Sequence, residues 1–394
     1  MTVLLTQIVS MRRILICLPN TIAGRFLLAA VFLYSLASQP ALATPELVFD
    51  LDTQAVLHAT EAGDPWYPAS TTKLMTALVA FKALANKEIG PDTPVLMSKR
   101  AMSQKSLQSG LSAGRVMTVE DALYAVLVGS ANDVAVALAE RVAGSEQAFV
   151  QRMNAEASNL GMTATHFENA NGLHHPEQQT SARDLGILAM SIYQQFPEHR
   201  PIFKTSKVVI DGEELTSKNA LLTRFQGTLG MKTGFLCSSG RNIVALAERG
   251  QRHLMVVVLG ATTDRERGQR AAMLLSQAFD GRLNTIGQSV GALQNNLGTS
   301  PQDMRMRVCS NQSAAYEAQQ NKLYPMGLRG HRGYLSSPTA DISHEIRTWQ
   351  MAPEVNVPAP RAKPGILIEK SGLPEGQGGW GAFRPMPKPV SGEG

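Results

Sequence analysis

The spacing of apolar and polar residues divides the chain into stretches of different period. "ELVFDLDT" and "AVLHAT", starting near residue 46, read as two short strands around a turn. From Lys73 the period becomes helical, and Leu74, Ala77, Leu78 and Phe81 of "TKLMTALVAFKALAN" fall on one face. "TVEDALYAVLV" opens with a threonine and has acidic residues in its first turn, as helices do. "DVAVALAERVAG" and "EQAFVQRMNAEASNLG" follow as helices ended by glycine. "TSARDLGILAMSIYQQF" is another, capped by Thr180 or Ser181. After residue 205 come strand-like runs punctuated by glycine: "KVVIDG", "GTLGMKTGFLC", "RNIVALAERG" and "RHLMVVVLGA". "DRERGQRAAMLLSQAFDG" closes the region as a helix. Strands flanking a helical middle predict a sheet-based α+β body, built from both ends of the region, with a mostly helical subdomain inserted.

The two ends of the chain have a different texture. Arg12, Arg13 and Arg25 precede the apolar run "FLLAAVFLYSLA", which is followed by Pro40 and the small-residue triplet Ala41-Leu42-Ala43. This pattern predicts a secretory signal peptide over residues 1–43, with an apolar core too short to span a bilayer. Residues 284–394 contain "VPAPRAKPG", "PEGQGGWG" and "RPMPKPV". That composition predicts a Pro/Gly-rich, loosely ordered C-terminal region, with room for a short structured piece around Cys309 and without the amphipathic pattern of a membrane-surface helix. The folded domain is therefore expected over 44–283.

Composition narrows the function classes. The chain has 394 residues, 44% hydrophobic and 18% charged, which excludes a wholly disordered polymer. The net charge is +5, and its basic residues are dispersed rather than clustered, so no nucleic-acid partner is expected. Removal of the signal peptide leaves Cys237 and Cys309 in a compartment where disulfides persist, and spacing alone leaves their pairing open. No Cys/His cluster has metal-ligand spacing, and His174-His175 beside Pro176 reads as loop, so neither metal nor cofactor is expected.

Three segments carry candidate chemistry. In "YPASTTKLM", Ser70 and Lys73 are i and i+3 at a helix start and share a face. A lysine held neutral by burial or a second cation could take the serine proton; the alternative is a cap beside a solvated lysine. In "LVGSANDV", Ser130 and Asn132 sit between two helices, where they could relay a proton and hold an amide, or cap the next helix. In "GMKTGF", Lys232 and Thr233 lie on a strand and suit a carboxylate, and Gly234 leaves room for close backbone approach. Lys232 would also be the second cation near Lys73.

S-x-x-K, S-x-N and K-T-G in this order resemble the active-site serine penicillin-recognising enzymes. Alanine in the middle motif, together with "NGLHHPEQQTSARDL" and "MKTGFLCSSGRNIVALA", is most similar to the low-molecular-mass penicillin-binding proteins, the serine D-alanyl-D-alanine carboxypeptidases. The resemblance covers about residues 45 to 282. It implies a β-lactamase/DD-peptidase-like fold, an antiparallel sheet flanked by helices. It implies Ser70 as nucleophile, Lys73 as general base and Ser130 as proton shuttle. Asn132 would bind the substrate amide, and Lys232 and Thr233 its carboxylate. The backbone N–H groups of Ser70 and Phe235 would form the oxyanion hole. Arg267 in "DRERGQR", with Arg265 and Arg270 as neighbours, falls where a further carboxylate-binding arginine is expected.

The implied substrates are peptidoglycan stem peptides, with β-lactams as mimics, in the periplasm; membrane attachment is left open. A β-lactamase would need a carboxylate for deacylation. Glu168 is the candidate, but its E-x-x-N spacing to Asn171 is one residue short of the pattern in those enzymes. A DD-endopeptidase shares the same motifs. An inactive wall-binding module would have no need to retain Ser70, Lys73, Ser130 and Lys232.

Overall fold

The computed structural model describes residues 44–323, 325 and 330–350. The expected signal peptide, residues 1–43, and the Pro/Gly-rich residues 351–394 lie outside the described residues. In chain order the main elements are β1 (Glu46–Asp50), β2 (Val56–Thr60), α1 (Lys73–Ala85), β3 (Pro94–Leu96), β4 (Arg115–Thr118), α2 (Val119–Leu127) and α3 (Asn132–Ala143). Then follow α4 (Glu146–Asn159), α5 (Ala182–Gln195), β5 (Lys207–Ile210), β6 (Glu213–Thr216), β7 (Thr228–Leu236), β8 (Gly240–Arg249) and β9 (Arg252–Ala261). The last are α6 (Asp264–Phe279), β10 (Ser343–Ile346) and β11 (Trp349–Gln350).

The expected sheet is present. Five antiparallel strands run in the order β2-β1-β9-β8-β7, so both ends of the domain contribute and β7 is an edge. Successive side chains on a strand point to opposite faces. Val48, Ile243, Val256 and Val258 pack with Ala271, Ala272 and Leu275 of α6. Leu47, Phe49, Val244, Met255 and Val257 belong to the other core, with Leu185 and Leu188 of α5. Burial on both faces explains why β8 and β9 read as nearly continuous apolar runs. On α5, a Cβ at Gly186 would stand 3.0 Å from side-chain atoms of Leu47 and Phe49, which is how closely that helix lies on the sheet.

Helix α1 is packed among α2, α3, α4 and α5. The single apolar face expected from Leu74, Ala77, Leu78 and Phe81 widens into burial all round, because Met75, Val79 and Ala80 are also enclosed. Its polar position Thr76 is satisfied by donating to the Ala170 carbonyl at 2.5 Å. Thr118 and Ser181 cap α2 and α5 through their side chains. "KVVIDG" forms β5 as expected, but β5 joins a separate three-stranded sheet, β10-β5-β6.

The expectation of loose order from residue 284 is corrected for the stretch up to 350. Strand β10 pairs in parallel with β5, and β11 pairs antiparallel with β4. Val290, Met304 and Ile346 are buried. Cys237 and Cys309 form a disulfide with a Cα separation of 5.6 Å. Next to it, the Met304 N–H donates to the Ser238 carbonyl at 3.0 Å. Anchors this sparse leave no hydrophobic period in the sequence, which is why the stretch reads as unstructured. No helix among the described residues is long and apolar enough to cross a membrane.

Candidate active site

The turn before α1 presents the first group. Ala69–Thr72 is a 3-10 turn leading into Lys73, with Ala69 in the left-handed region at φ 51°. The capping alternative fails: neither Pro68 nor Thr72 makes a side-chain cap hydrogen bond. The solvated-lysine alternative fails too, because Lys73 is fully buried. Its Nζ lies 3.1 Å from Ser70 Oγ, 2.6 Å from Asn132 Oδ1 and 2.5 Å from the Asn171 carbonyl. Burial pushes the Lys73 pKa well below the usual lysine range, the Lys232 charge pushes it further, and Asp133 opposes them.

The junction between α2 and α3 supplies the second group. Ser130 adopts φ 59°, a conformation that costs a non-glycine residue about 1 kcal/mol or more. Ala131 occupies the N-cap of α3, so none of Ser130, Asn132 and Asp133 caps that helix from the N-cap position. Asn132 Nδ2 donates to the Lys105 and Ser106 carbonyls at 3.0 and 2.9 Å, which leaves Oδ1 turned to Lys73. Asp133 holds the same loop through the backbone and hydroxyl of Ser109.

Edge strand β7 supplies the third. Lys232 Nζ donates to Ser130 Oγ at 3.0 Å, and its pKa is lowered to about 7 by burial first and Arg267 second. Gly234 lies against the nucleophile turn, where a Cβ would come within 2.9 Å of the Pro68 carbonyl oxygen and the Ser70 nitrogen. Thr233 is nearly buried beside it, whereas Phe235 is 45% exposed. Of the three arginines in "DRERGQR", Arg270 is tied to Glu46 and Glu266, and Arg265 meets Asn321. Buried Arg267 is the one whose charge reaches Lys232. It pairs with Asp264 and the Lys218 carbonyl, and its Nε has no hydrogen-bond partner among the described residues.

Sequence reasoning missed the residues that frame this cluster. Asn171 accepts from Lys73 through its backbone carbonyl, a role any residue type can fill. Gly172, at φ 87°, passes under the turn where a Cβ would fall 2.0 Å from the Ala69 oxygen. Buried Asn242 donates to the Tyr67 and Pro68 carbonyls at 2.9 and 3.0 Å and accepts from Gly260. Glu168, the deacylation candidate, hydrogen-bonds His166 at 2.8 Å rather than any member of the Ser70 cluster. Glu168, His175 and Glu177 are the one place among the described residues where three ligand-type side chains come within 4.8 Å. It is separate from the Ser70 cluster, and no chemistry here is routed through it.

A serine, two lysines of lowered pKa and a second serine held by one of them thus converge in one buried cluster. The family described as D-alanyl-D-alanine carboxypeptidase, peptidase S11, matches residues 35–263. The chain belongs to this D-alanyl-D-alanine carboxypeptidase family. Among curated family members, D-alanyl-D-alanine carboxypeptidase DacD of Escherichia coli is 34% identical over 236 residues, 58% of this chain and 61% of that protein. This chain therefore matches less than two thirds of that relative's length. Penicillin binding protein 6B from Escherichia coli is 33% identical with a TM-score of 0.56, covering 61% of this chain and 78% of that one. Penicillin-binding protein D2 from Listeria monocytogenes, in its cefotaxime-bound form, is 30% identical with a TM-score of 0.53, covering 61% of this chain and 100% of that one. The family's fold is the antiparallel sheet and helical part described above.

Proposed function

We propose that this chain is a serine D-alanyl-D-alanine carboxypeptidase that removes the terminal D-alanine from peptidoglycan stem peptides. The observation that carries the reading is the buried Lys73 Nζ, 3.1 Å from Ser70 Oγ and depressed by burial and Lys232. In this reading neutral Lys73 takes the Ser70 proton as Oγ attacks the carbonyl between the two D-alanines. The C–N bond breaks, Ser130 passes a proton to the departing amine, and water then releases the shortened peptide from Ser70. Lys232, Thr233 and Arg267 bind the terminal carboxylate, and the unpartnered Arg267 Nε supports that role. The backbone N–H groups of Ser70 and Phe235 stabilise the oxyanion. Asn132, with its amide already engaged, acts mainly by positioning Lys73.

The cefotaxime-bound relative supports β-lactam binding by this chain, and the proposed nucleophile Ser70 is where an adduct is expected. The engagement of Glu168 by His166 disfavours a β-lactamase. The disulfide supports an oxidising compartment such as the periplasm, reached by way of the expected signal peptide. The test is incubation with a labelled penicillin and a pentapeptide, followed by mapping of the adduct. Label on Ser70, D-alanine release, and loss of both in Ser70→Ala are expected. Unchanged release from Ser70→Ala would overturn the reading.

A further inference from the structure

The proposed roles fix the direction in which a donor peptide lies. Its carboxylate sits at Lys232 and Thr233 and its scissile carbonyl at Ser70 and Phe235, so it runs antiparallel to β7. The residues before the D-alanine pair must then continue past Phe235, toward Leu236, Cys237 and Ser238. β7 ends at Leu236, so the side chain preceding the pair lies just past the strand's end, beside the turn that begins with Cys237 and Ser238.

Three separate segments meet at that place. His174, from the loop that carries Asn171, has Nδ1 3.1 Å from Ser238 Oγ and its ring 5.1 Å from that of Tyr67. Arg305, in the segment held by the Cys237–Cys309 disulfide, places Nη2 2.9 Å from His174 Nε2. Arginine can only donate, so Nε2 is the acceptor and the ring proton is on Nδ1, facing Ser238. Asp303 receives Nη1 at 2.7 Å and fixes the guanidinium from behind. Two of its five N–H donors are thereby used, and the side chain remains 50% exposed. Residues 303–309 lie beyond the part of the chain matched by the family.

We propose that Arg305, held by His174 and Asp303, forms a subsite for an anionic side chain on the donor residue that precedes D-Ala-D-Ala. This rests on the carboxypeptidase reading and adds the substrate class. A carboxylate-ended side chain reaches the free donors of the exposed guanidinium, a neutral amide binds more weakly, and an ammonium gains no bond there.

The test measures D-alanine release from N-acetyl-X-D-Ala-D-Ala with X as glutamate, glutamine, lysine or alanine. An exposed charge pair is worth up to about 1 kcal/mol, so kcat/KM is expected to favour glutamate over lysine by about three- to fivefold in the wild type. Arg305→Gln should remove that preference and Arg305→Glu should invert it, with release from the alanine peptide unchanged in both. A glutamate-to-lysine ratio that stays the same in both variants, or that is absent in the wild type while D-alanine is released, overturns the subsite alone. No release from any peptide overturns the carboxypeptidase reading and the subsite with it.

Discussion

The Cβ that Gly234 lacks would stand 2.9 Å from the backbone nitrogen of Ser70. Strand β7 and the turn that carries Ser70 therefore touch backbone to backbone, and Lys232 keeps its place relative to Ser70 by that contact. Gly234→Ala is expected to push the two apart. Displacements of about 1 Å cost about a hundredfold in rate, so penicillin acylation should fall by that order while the circular dichroism spectrum is retained. Acylation at the wild-type rate would mean that the strand can yield.

The pH profile follows from two depressed lysines. Lys73 acts neutral; as pH falls through its lowered pKa it gains a proton, and acylation declines about tenfold per pH unit. Lys232 acts charged; as pH rises past about 7 it loses its proton in the free enzyme, and KM for a peptide should rise. Lys232→Met removes a cation beside Lys73, which favours protonated Lys73 and raises its pKa. The acid limb should therefore move to higher pH in this slower variant. An acid limb that stays in place would show that Lys232 does not tune Lys73.

Asn242 braces the nucleophile turn from the neighbouring strand. Asn242→Ala strands the Tyr67 carbonyl and removes the side-chain acceptor of the Gly260 N–H inside the protein, while the Pro68 carbonyl keeps the Thr71 hydroxyl. A buried group left without a partner costs about 1–3 kcal/mol, so urea unfolding should show a loss of at least that size. Acylation should slow as well, since the same carbonyls hold the turn.

The disulfide closes a loop of 72 residues. Cys309→Ser should lower stability by about 2–4 kcal/mol, read from the denaturation midpoint. Penicillin acylation should persist, because Ser70, Lys73, Ser130 and Lys232 are positioned by other elements. The donor preference assigned to Arg305 should weaken, because its segment loses its anchor.

The residue types of the candidate site were legible because two rules are local. Ser70 and Lys73 share a face by helical spacing, and Gly234 marks a place where backbone comes close. Their convergence became readable only through the order of three motifs and the family it resembles. The framing groups were not legible for a physical reason. Asn171 works through a carbonyl that every residue has, and Asn242 works on a turn reached only once β7 and β8 have paired. The choice among Arg265, Arg267 and Arg270 depended on which neighbours each one meets. The strand-like run "KVVIDG" does form β5, but strand partners are a tertiary fact.

The pairing of Ser343 with Lys207 has a consequence for how the molecule comes into being. β5 is made before its parallel partner β10, and Cys237 is made before Cys309. The segments that bring Ser70, Lys73, Ser130 and Lys232 together thus precede the Arg305 rim and the small parallel pairing in the chain. A chain stopped short of Arg305 would still hold those four residues but not the surface proposed to select what reaches them.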